Sequence, residues 1–314
     1  MNPKLKVLAA TQGGVFGRAQ AAECGYTLGQ IHDRIKDGRW VRIRHGQYAE
    51  ALDLGSLTPW DRTSLQHRRL VHAVLNGTRQ GAVAVSHQSA LALHGVPVWG
   101  ADLAEVHLTR LDSHRGGRIA GVRHHRGRIS DVDLTTVDGL PLTTVPRALF
   151  EMACTSSFEA AVVSADAVRR HHPNVADELQ RLRDVTEFWP GSATARAALD
   201  FSNPLAESVG ESRFRVLLHT YGMPSPVLQV VFTDADGFVA RVDFYFPECR
   251  TVAEFDGLVK YDSGARETLI QEKLREDRLR DLGLQVIRIR WAELAHPERL
   301  IARLHAAFAR AQAA

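Results

Sequence analysis

The chain has 314 residues with a net charge of +3, and 45% of its residues are apolar and 24% charged. This length predicts two or three domains of an ordinary globular protein. There is no run of about 18 apolar residues, which argues against a membrane span. The N-terminal stretch MNPKLKVLAATQGG also lacks the apolar core and cleavage site of a signal peptide. We therefore expect a cytoplasmic protein with no membrane partner.

The three cysteines, Cys24, Cys154 and Cys249, are odd in number and far apart in the sequence. Such a distribution does not resemble a disulfide framework or a zinc site. We expect each of them to be a small buried hydrophobe.

Residues 1–55 show the pattern of a winged helix-turn-helix. Three short helical segments come first, and Thr27 is a candidate N-cap for the third, LGQIHDRIKDG. In a winged helix this third helix would present three polar side chains to a DNA groove, namely Gln30, Arg34 and Lys36. The alternative is a small helical domain that contacts another protein.

The segment RWVRIRHGQYAE then predicts a hairpin. Its valine and isoleucine alternate with Arg42 and Arg44, which predicts one apolar face and one basic face, and His45 begins the turn. These three basic residues would lie on the wing, near phosphates. Residues 1–50 hold eight Lys and Arg against four Asp and Glu, which favours a polyanionic partner.

Residues 60–200 predict a middle α/β domain. Within it, residues 110–128 hold six Arg, three His and one Asp, a stretch we call the basic patch. Arg123 and Arg126 are its candidate nucleic-acid contacts, and an ordinary solvated face is the alternative. His124 and His125 are adjacent on a predicted strand and point to opposite faces, so they cannot easily share a metal ion. Solvent or phosphate contact is the expected role of this pair.

Residues 203–314 predict a third domain with the element order α-β-β-β-α-β-α. Its second and third strands carry Asp243, Glu254 and Asp256, and Lys260 follows. Buried charges are costly unless they are paired or bind metal. Carboxylates that converge at strand ends suit Mg²⁺ or Mn²⁺, and a lysine nearby could stabilise charge in phosphodiester cleavage.

The motifs VDF, EFDG, REDRLRDLG and VIRIRW resemble the PD-(D/E)XK nuclease superfamily, closest to its Vsr-like branch, over about 100 residues. The resemblance implies a restriction-endonuclease-like domain in which Asp243 and Glu254 hold the metal. It also implies that Glu211, in GESRFR, holds a metal-bound water. Asp256 stands where the superfamily has a lysine, so Lys260 or Lys273 would supply that charge, or catalysis would proceed without a lysine.

Most charges of the helix that contains EKLREDRLRD are expected to form a solvated face with i,i+4 ion pairs. Lys273 and Arg278 are the two candidates on it for nucleic-acid contact.

Residues 1–50, together with SHQSALALHG, resemble AbiEi-type antitoxin and regulator proteins of bacterial type IV toxin–antitoxin systems. The resemblance implies operator binding by the winged helix and a toxin partner.

Three functional hypotheses follow from these patterns. The first is a divalent-metal-dependent endonuclease acting on double- or single-stranded DNA. The second is an AbiEi-like antitoxin and transcriptional repressor with a catalytically degenerate nuclease fold. The third is an interaction protein with no nucleic-acid role. RNA as a substrate and a homodimeric assembly stay open.

Overall fold

The computed structural model describes residues 1–112, 114–256 and 265–313. The chain forms two compact units of mixed α/β structure. The N-terminal unit comprises residues 1–160 and 175–196, and the C-terminal unit comprises residues 161–174 and 197–314. The predicted middle domain, residues 60–200, is divided between the two units, because residues 161–174 and 197–200 belong to the C-terminal unit. The predicted boundary near residues 55–60 stays a prediction.

The first 50 residues contain the three predicted helices and the predicted hairpin, with an additional short strand before the second helix. The elements are α1 (Pro3–Ala10), β1 (Val15–Gly17), α2 (Arg18–Glu23), α3 (Leu28–Lys36), β2 (Trp40–Arg44) and β3 (Gln47–Glu50). The strands form an antiparallel sheet in the order β1-β3-β2. Its core contains Trp40, whose ring lies edge-on to Phe16 and Tyr26 with centroids 4.7 and 5.0 Å away.

Residues 59–201 contain helices and a six-stranded sheet, as the sequence predicts for an α/β segment. The elements are α4 (Pro59–Leu75), β4 (Val83–Val85), α5 (His87–Leu93), β5 (Val106–Arg110), β6 (Gly117–Ile119), β7 (Val122–His125), β8 (Leu134–Val137), β9 (Leu140–Thr143), α6 (Val145–Thr155), α7 (Phe158–His171), α8 (Ala176–Val185) and α9 (Ser192–Phe201). The strand order is β6-β7-β5-β4-β9-β8. β5 runs parallel to β7 and antiparallel to β4, so three strands distant in sequence become neighbours.

The C-terminal unit has the predicted order of helices and strands. The elements are α10 (Val209–Thr220), β10 (Val227–Asp234), β11 (Gly237–Phe246), β12 (Thr251–Asp256), α11 (Ala265–Asp281), β13 (Gln285–Arg290) and α12 (Pro297–Ala313). The sheet order is β10-β11-β12-β13, with β12 and β13 parallel and the other neighbours antiparallel.

Two apolar clusters flank this four-stranded sheet. Ala253 packs with residues of α10 and α12, whereas Val252 packs with Leu279 of α11. Since successive residues of a strand point to opposite faces, helices cover the sheet on both sides. Glu254 and Asp256, at the end of β12, therefore lie in a sheet that has helices on both faces.

No helix within the described part of the chain combines the length and apolar character needed to cross a membrane. Cys24 and Cys249 are buried, as predicted, and Cys154 is half-buried. Burial raises the pKa of Cys154 to about 12, which keeps it a neutral thiol.

Candidate nucleic-acid interface and carboxylate cluster

Helix α3 begins with a capping box. The hydroxyl of Thr27 accepts a hydrogen bond from the Gln30 N–H at 3.2 Å, and the Gln30 side-chain oxygen accepts one from the Thr27 N–H at 3.1 Å. This reciprocal pair satisfies two N–H groups that the helix leaves free. The Gln30 side chain is exposed, but its oxygen is used in the cap.

Arg34 is half-buried and packs on the aromatic core of the N-terminal sheet. Its guanidinium lies 4.7 Å from the ring centroid of Tyr26 and 5.4 Å from that of Trp40. It also donates to the Gln30 carbonyl at 3.3 Å. Of the three residues predicted to face a groove, Arg34 therefore has a structural role, and Lys36 is exposed.

The exposed face of α3 includes two residues that were not among those predicted to face a groove, His32 and Asp33. They lie on the side of the helix that faces away from the buried Ile31, and Lys36 lies on the same exposed side. The period of the apolar residues was the signal that could have identified them.

The β2–β3 hairpin presents Arg42 and His45 to solvent, and Arg44 is half-buried. The predicted alternation of an apolar and a basic face is wrong in part, because Val41 is 38% exposed. The pairing register shifts between Arg42 and Arg44. Such an irregularity rotates the strand and breaks the strict alternation of side chains.

The basic patch is partly neutralised by carboxylates. Arg123 donates to the buried Glu105 at 2.9 Å, and Arg118 pairs with the same carboxylate. Arg110 makes a two-pronged ion pair with Asp112 at 2.6 and 2.7 Å. Arg126, the other candidate contact, is exposed.

His124 and His125 point to opposite faces, as predicted, but solvent or phosphate contact is wrong for His125. Its Nε2 lies 3.0 Å from Nδ1 of His107, and its ring stacks on that of His87 with centroids 3.7 Å apart. The reason is the parallel pairing of β7 with β5, which places His125 and His107 on one face of the sheet.

In the C-terminal unit, Gln229 joins two of the predicted catalytic carboxylates. Its side-chain N–H donates to Glu211 at 3.2 Å and to Asp243 at 3.4 Å. The other Asp243 oxygen accepts from the Phe255 N–H at 2.8 Å, next to Glu254 on β12. The structure thus brings Glu211 and Asp243 together, and we call these two residues and Gln229 the carboxylate cluster.

Burial shifts both carboxylates of the cluster toward the neutral form. Burial raises the pKa of Glu211, and the nearby Asp243 carboxylate raises it further. Hydrogen bonds with the Glu207 backbone and the Ser208 side chain act in the opposite direction. Burial also raises the pKa of Asp243, against the opposing Phe255 hydrogen bond. Gln229 has a backbone φ of +54°, and its buried Oε1 makes no hydrogen bond among the described residues. Strained backbone and an unsatisfied polar atom at one place are features of functional sites.

The other two predicted metal ligands are engaged with arginines. Arg275 donates to both oxygens of Glu254, at 2.6 and 2.8 Å. Arg288 lies 3.6 Å from Asp256. Each Glu254 oxygen accepts one arginine hydrogen bond and keeps a second lone pair. The metal set of Asp243, Glu254 and Asp256 therefore stays a prediction.

The remaining candidates of this unit differ in their surroundings. Arg278 makes two hydrogen bonds to Asp234, at 2.6 and 2.8 Å, and so links α11 to the end of β10. Lys273 is exposed. Lys260 lies outside the described residues.

Gln229 and Arg275 were not among the site residues predicted from the sequence. A single polar residue in the apolar stretch PVLQVVFT was a signal for Gln229. Arg275 had no comparable signal, because i,i+4 pairing explained the helix charges equally well, as Arg280 with Glu276 illustrates.

Comparison with known proteins agrees with the N-terminal resemblance. Residues 4–51, which include α3 and the β2–β3 hairpin, match a family model described as a transcriptional regulator, AbiEi antitoxin. Two uncharacterized proteins of Mycobacterium tuberculosis, from strains CDC 1551 / Oshkosh and ATCC 25618 / H37Rv, are each 27% identical over 281 residues. These alignments cover 88% of this chain and 96% of each relative. The chain is thus similar to an AbiEi antitoxin domain at its N-terminus and to both relatives along nearly its whole length.

Proposed function

We propose that this protein is a DNA-binding transcriptional regulator of the AbiEi antitoxin type. The observation that carries the proposal is the pairing of an exposed α3 face with a basic hairpin inside the segment matched by the AbiEi family model. Helix, helix and hairpin in this order support a winged helix, in which the second helix of the pair enters the major groove.

The two parts of this surface favour different contacts with DNA. Arg42 and His45 are exposed on the hairpin and Arg44 is half-buried there. These three basic side chains suit phosphates, which give affinity without sequence information. Asp33 and Lys36 on α3 suit base edges, because a carboxylate accepts from cytosine and an ammonium donates to guanine. A toxin partner and a dimer that binds two half-sites belong to the same proposal.

The proposal is tested by fluorescence anisotropy with a duplex from the promoter of the protein's own gene and an unrelated duplex of equal length. Wild type should bind the promoter duplex more tightly, with an affinity that falls steeply with salt. The double variant Arg42→Ala/Arg44→Ala should bind weakly. Because it lacks two phosphate contacts, its slope of log K against log salt should be less negative by about 2. Arg280→Ala, which also removes exposed positive charge, should bind like wild type. Equal binding by all three proteins would contradict the proposal.

We infer a second candidate function, a metal-dependent endonuclease, from the carboxylate cluster. The order α-β-β-β-α-β and the approach of Glu211 to Asp243 support it. The ion pair between Arg275 and Glu254 opposes it, because it occupies a carboxylate that the chemistry needs. A nuclease-like fold that does not cleave DNA agrees with both the element order and the ion pair. We propose that the C-terminal unit is such a fold.

Plasmid nicking distinguishes the two candidates. Supercoiled plasmid and labelled single strands are incubated with wild type or Asp243→Ala in Mg²⁺, Mn²⁺ or EDTA. The regulator proposal predicts no metal-dependent cutting by either protein. Cutting by wild type that needs metal and is absent from Asp243→Ala would establish the nuclease instead.

A further inference from the structure

Three histidines of the N-terminal unit converge at one point of the six-stranded sheet. His87, His107 and His125 each offer one ring nitrogen, and these atoms all lie within 4.8 Å of one another. We call these three residues the histidine cluster. His87 and His107 are buried and His125 is half-buried, so the cluster lies near the surface without being open to it.

The sheet pairing explains why residues so distant in sequence meet. The parallel pairing sets His107 opposite Arg123 and Thr109 opposite His125, so the two histidines lie two positions apart on one face. The Ser86 N–H donates to the His107 carbonyl at 3.0 Å, which holds the start of α5, and hence His87, beside β5. Backbone hydrogen bonds therefore fix all three positions.

The rings of the cluster are neutral. Burial, together with neighbouring positive groups that include Arg123, lowers the pKa of His107 to about 3 and that of His125 to about 4, with Glu105 opposing the shift at His125. Burial also lowers the pKa of His87 well below its ordinary value. A neutral imidazole keeps one nitrogen lone pair, and this is the form that binds a metal ion.

Two buried carboxylates lie behind the rings. Glu151 has an oxygen that makes no hydrogen bond among the described residues, and this oxygen is 3.6 Å from Nδ1 of His87. Glu105 lies 3.6 Å from Nε2 of His107. Histidines that ligate a metal commonly place their other ring nitrogen against a carboxylate, which orients the ring and makes it a better ligand.

Carboxylates offset most of the positive charge of the nearby arginines, although Arg118 and Arg123 share the single carboxylate of Glu105. Arg147 donates to Glu151 at 2.8 Å and to Asp133 at 3.1 Å. Arg123 donates to Glu105 at 2.9 Å. Since each of these guanidinium groups contacts a carboxylate, the repulsion of a divalent cation at the rings is reduced.

We propose that His87, His107 and His125 bind a Zn²⁺ ion, with a fourth position open to water or another ligand. Nitrogen ligands select zinc over magnesium, and three histidines with one open position form a known type of zinc site. The rings of His87 and His125 are stacked with an interplanar angle of 18°, so one of them has to turn for both lone pairs to point at one ion. This site is independent of the proposed DNA-binding surface.

Zinc titration of the full chain tests the site. Metal-free wild type is titrated with Zn²⁺ by calorimetry and with Co²⁺ by visible absorption. The key variant is His125→Gln and the matched control is His124→Gln, because the control removes the next histidine of the same strand on the opposite face. Wild type and the control should each bind one equivalent tightly and give the absorption of four-coordinate Co²⁺. His125→Gln should bind at least about tenfold more weakly.

A measurement on wild type alone covers the case in which His125→Gln does not fold. Imidazole nitrogen NMR should show three histidines shifting on addition of one equivalent of Zn²⁺, with His124 unchanged. The proposal is overturned if wild type has no saturable site, if His125→Gln binds like His124→Gln, or if the shifted signals belong to other histidines.

Discussion

Arg275 holds the carboxylate of Glu254 in a two-pronged ion pair, with N–O distances of 2.6 and 2.8 Å. Glu254 is 8% exposed, so this carboxylate has exchanged most of its water for one guanidinium. An ion pair of this geometry is strong and directional. It accounts for charge in an otherwise apolar strand without a metal ion, and it links β12 to α11.

Removing the arginine should therefore destabilise the C-terminal unit. We expect Arg275→Ala to lower the free energy of unfolding by about 1–3 kcal/mol, because it leaves a nearly buried carboxylate without a partner. Urea denaturation of wild type, both single variants and Arg275→Ala/Glu254→Ala gives the coupling energy of the pair. A coupling energy near zero would show that the pair contributes nothing.

Two glycines in helices should respond to alanine in opposite directions. A Cβ at Gly210 would lie 2.1 Å from a ring carbon of Phe255, so Gly210→Ala should destabilise the protein by about 1–3 kcal/mol through overpacking. At Gly29 the nearest atom would be 3.9 Å away, so Gly29→Ala should stabilise α3 by about 0.5–1 kcal/mol. Urea unfolding measures both, and a shift of the same sign in the two variants would contradict this packing.

Arg34 and Lys36 should separate stability from DNA binding. Arg34→Ala removes the guanidinium from the rings of Tyr26 and Trp40 and should lower stability by about 1 kcal/mol. Lys36→Ala removes an exposed charge and should leave stability within about 0.5 kcal/mol of wild type while weakening DNA binding. Thermal unfolding and anisotropy, measured on the same samples, check both. An Arg34→Ala variant as stable as wild type would mean that the stacking is not structural.

Local patterns in the sequence predicted the order of elements well, because caps and apolar periods act over a few residues. Thr27 as N-cap of α3 and the three strands between α10 and α11 are examples. Contacts between residues that are distant in the sequence could not be predicted from such local patterns. The partner of Glu254 is 21 residues away on a helix, and His125 meets His107 only because β7 pairs with β5. The order of elements could therefore be predicted from the sequence, whereas the contacts of Glu254 and His125 could not.

The histidine cluster should make the stability of the metal-free protein depend on pH. The three rings have lowered pKa values in the folded protein and a value near 6.5 when unfolded. Between pH 6.5 and about 4 the unfolded chain therefore binds more protons, and stability falls as the pH falls. Urea unfolding at pH 7 and pH 5, in chelator, should show a smaller decrease for His107→Gln than for wild type. An equal decrease in both proteins would contradict the burial of a neutral His107.

The most direct test of the account is repression of a reporter gene by the protein in a heterologous host, with its own promoter upstream of the reporter. We predict that wild type and Asp243→Asn repress equally, and that Arg42→Ala/Arg44→Ala, present at the same level, does not repress. Repression that survives loss of the wing arginines, or that requires Asp243, would contradict a regulator that acts through its N-terminal domain.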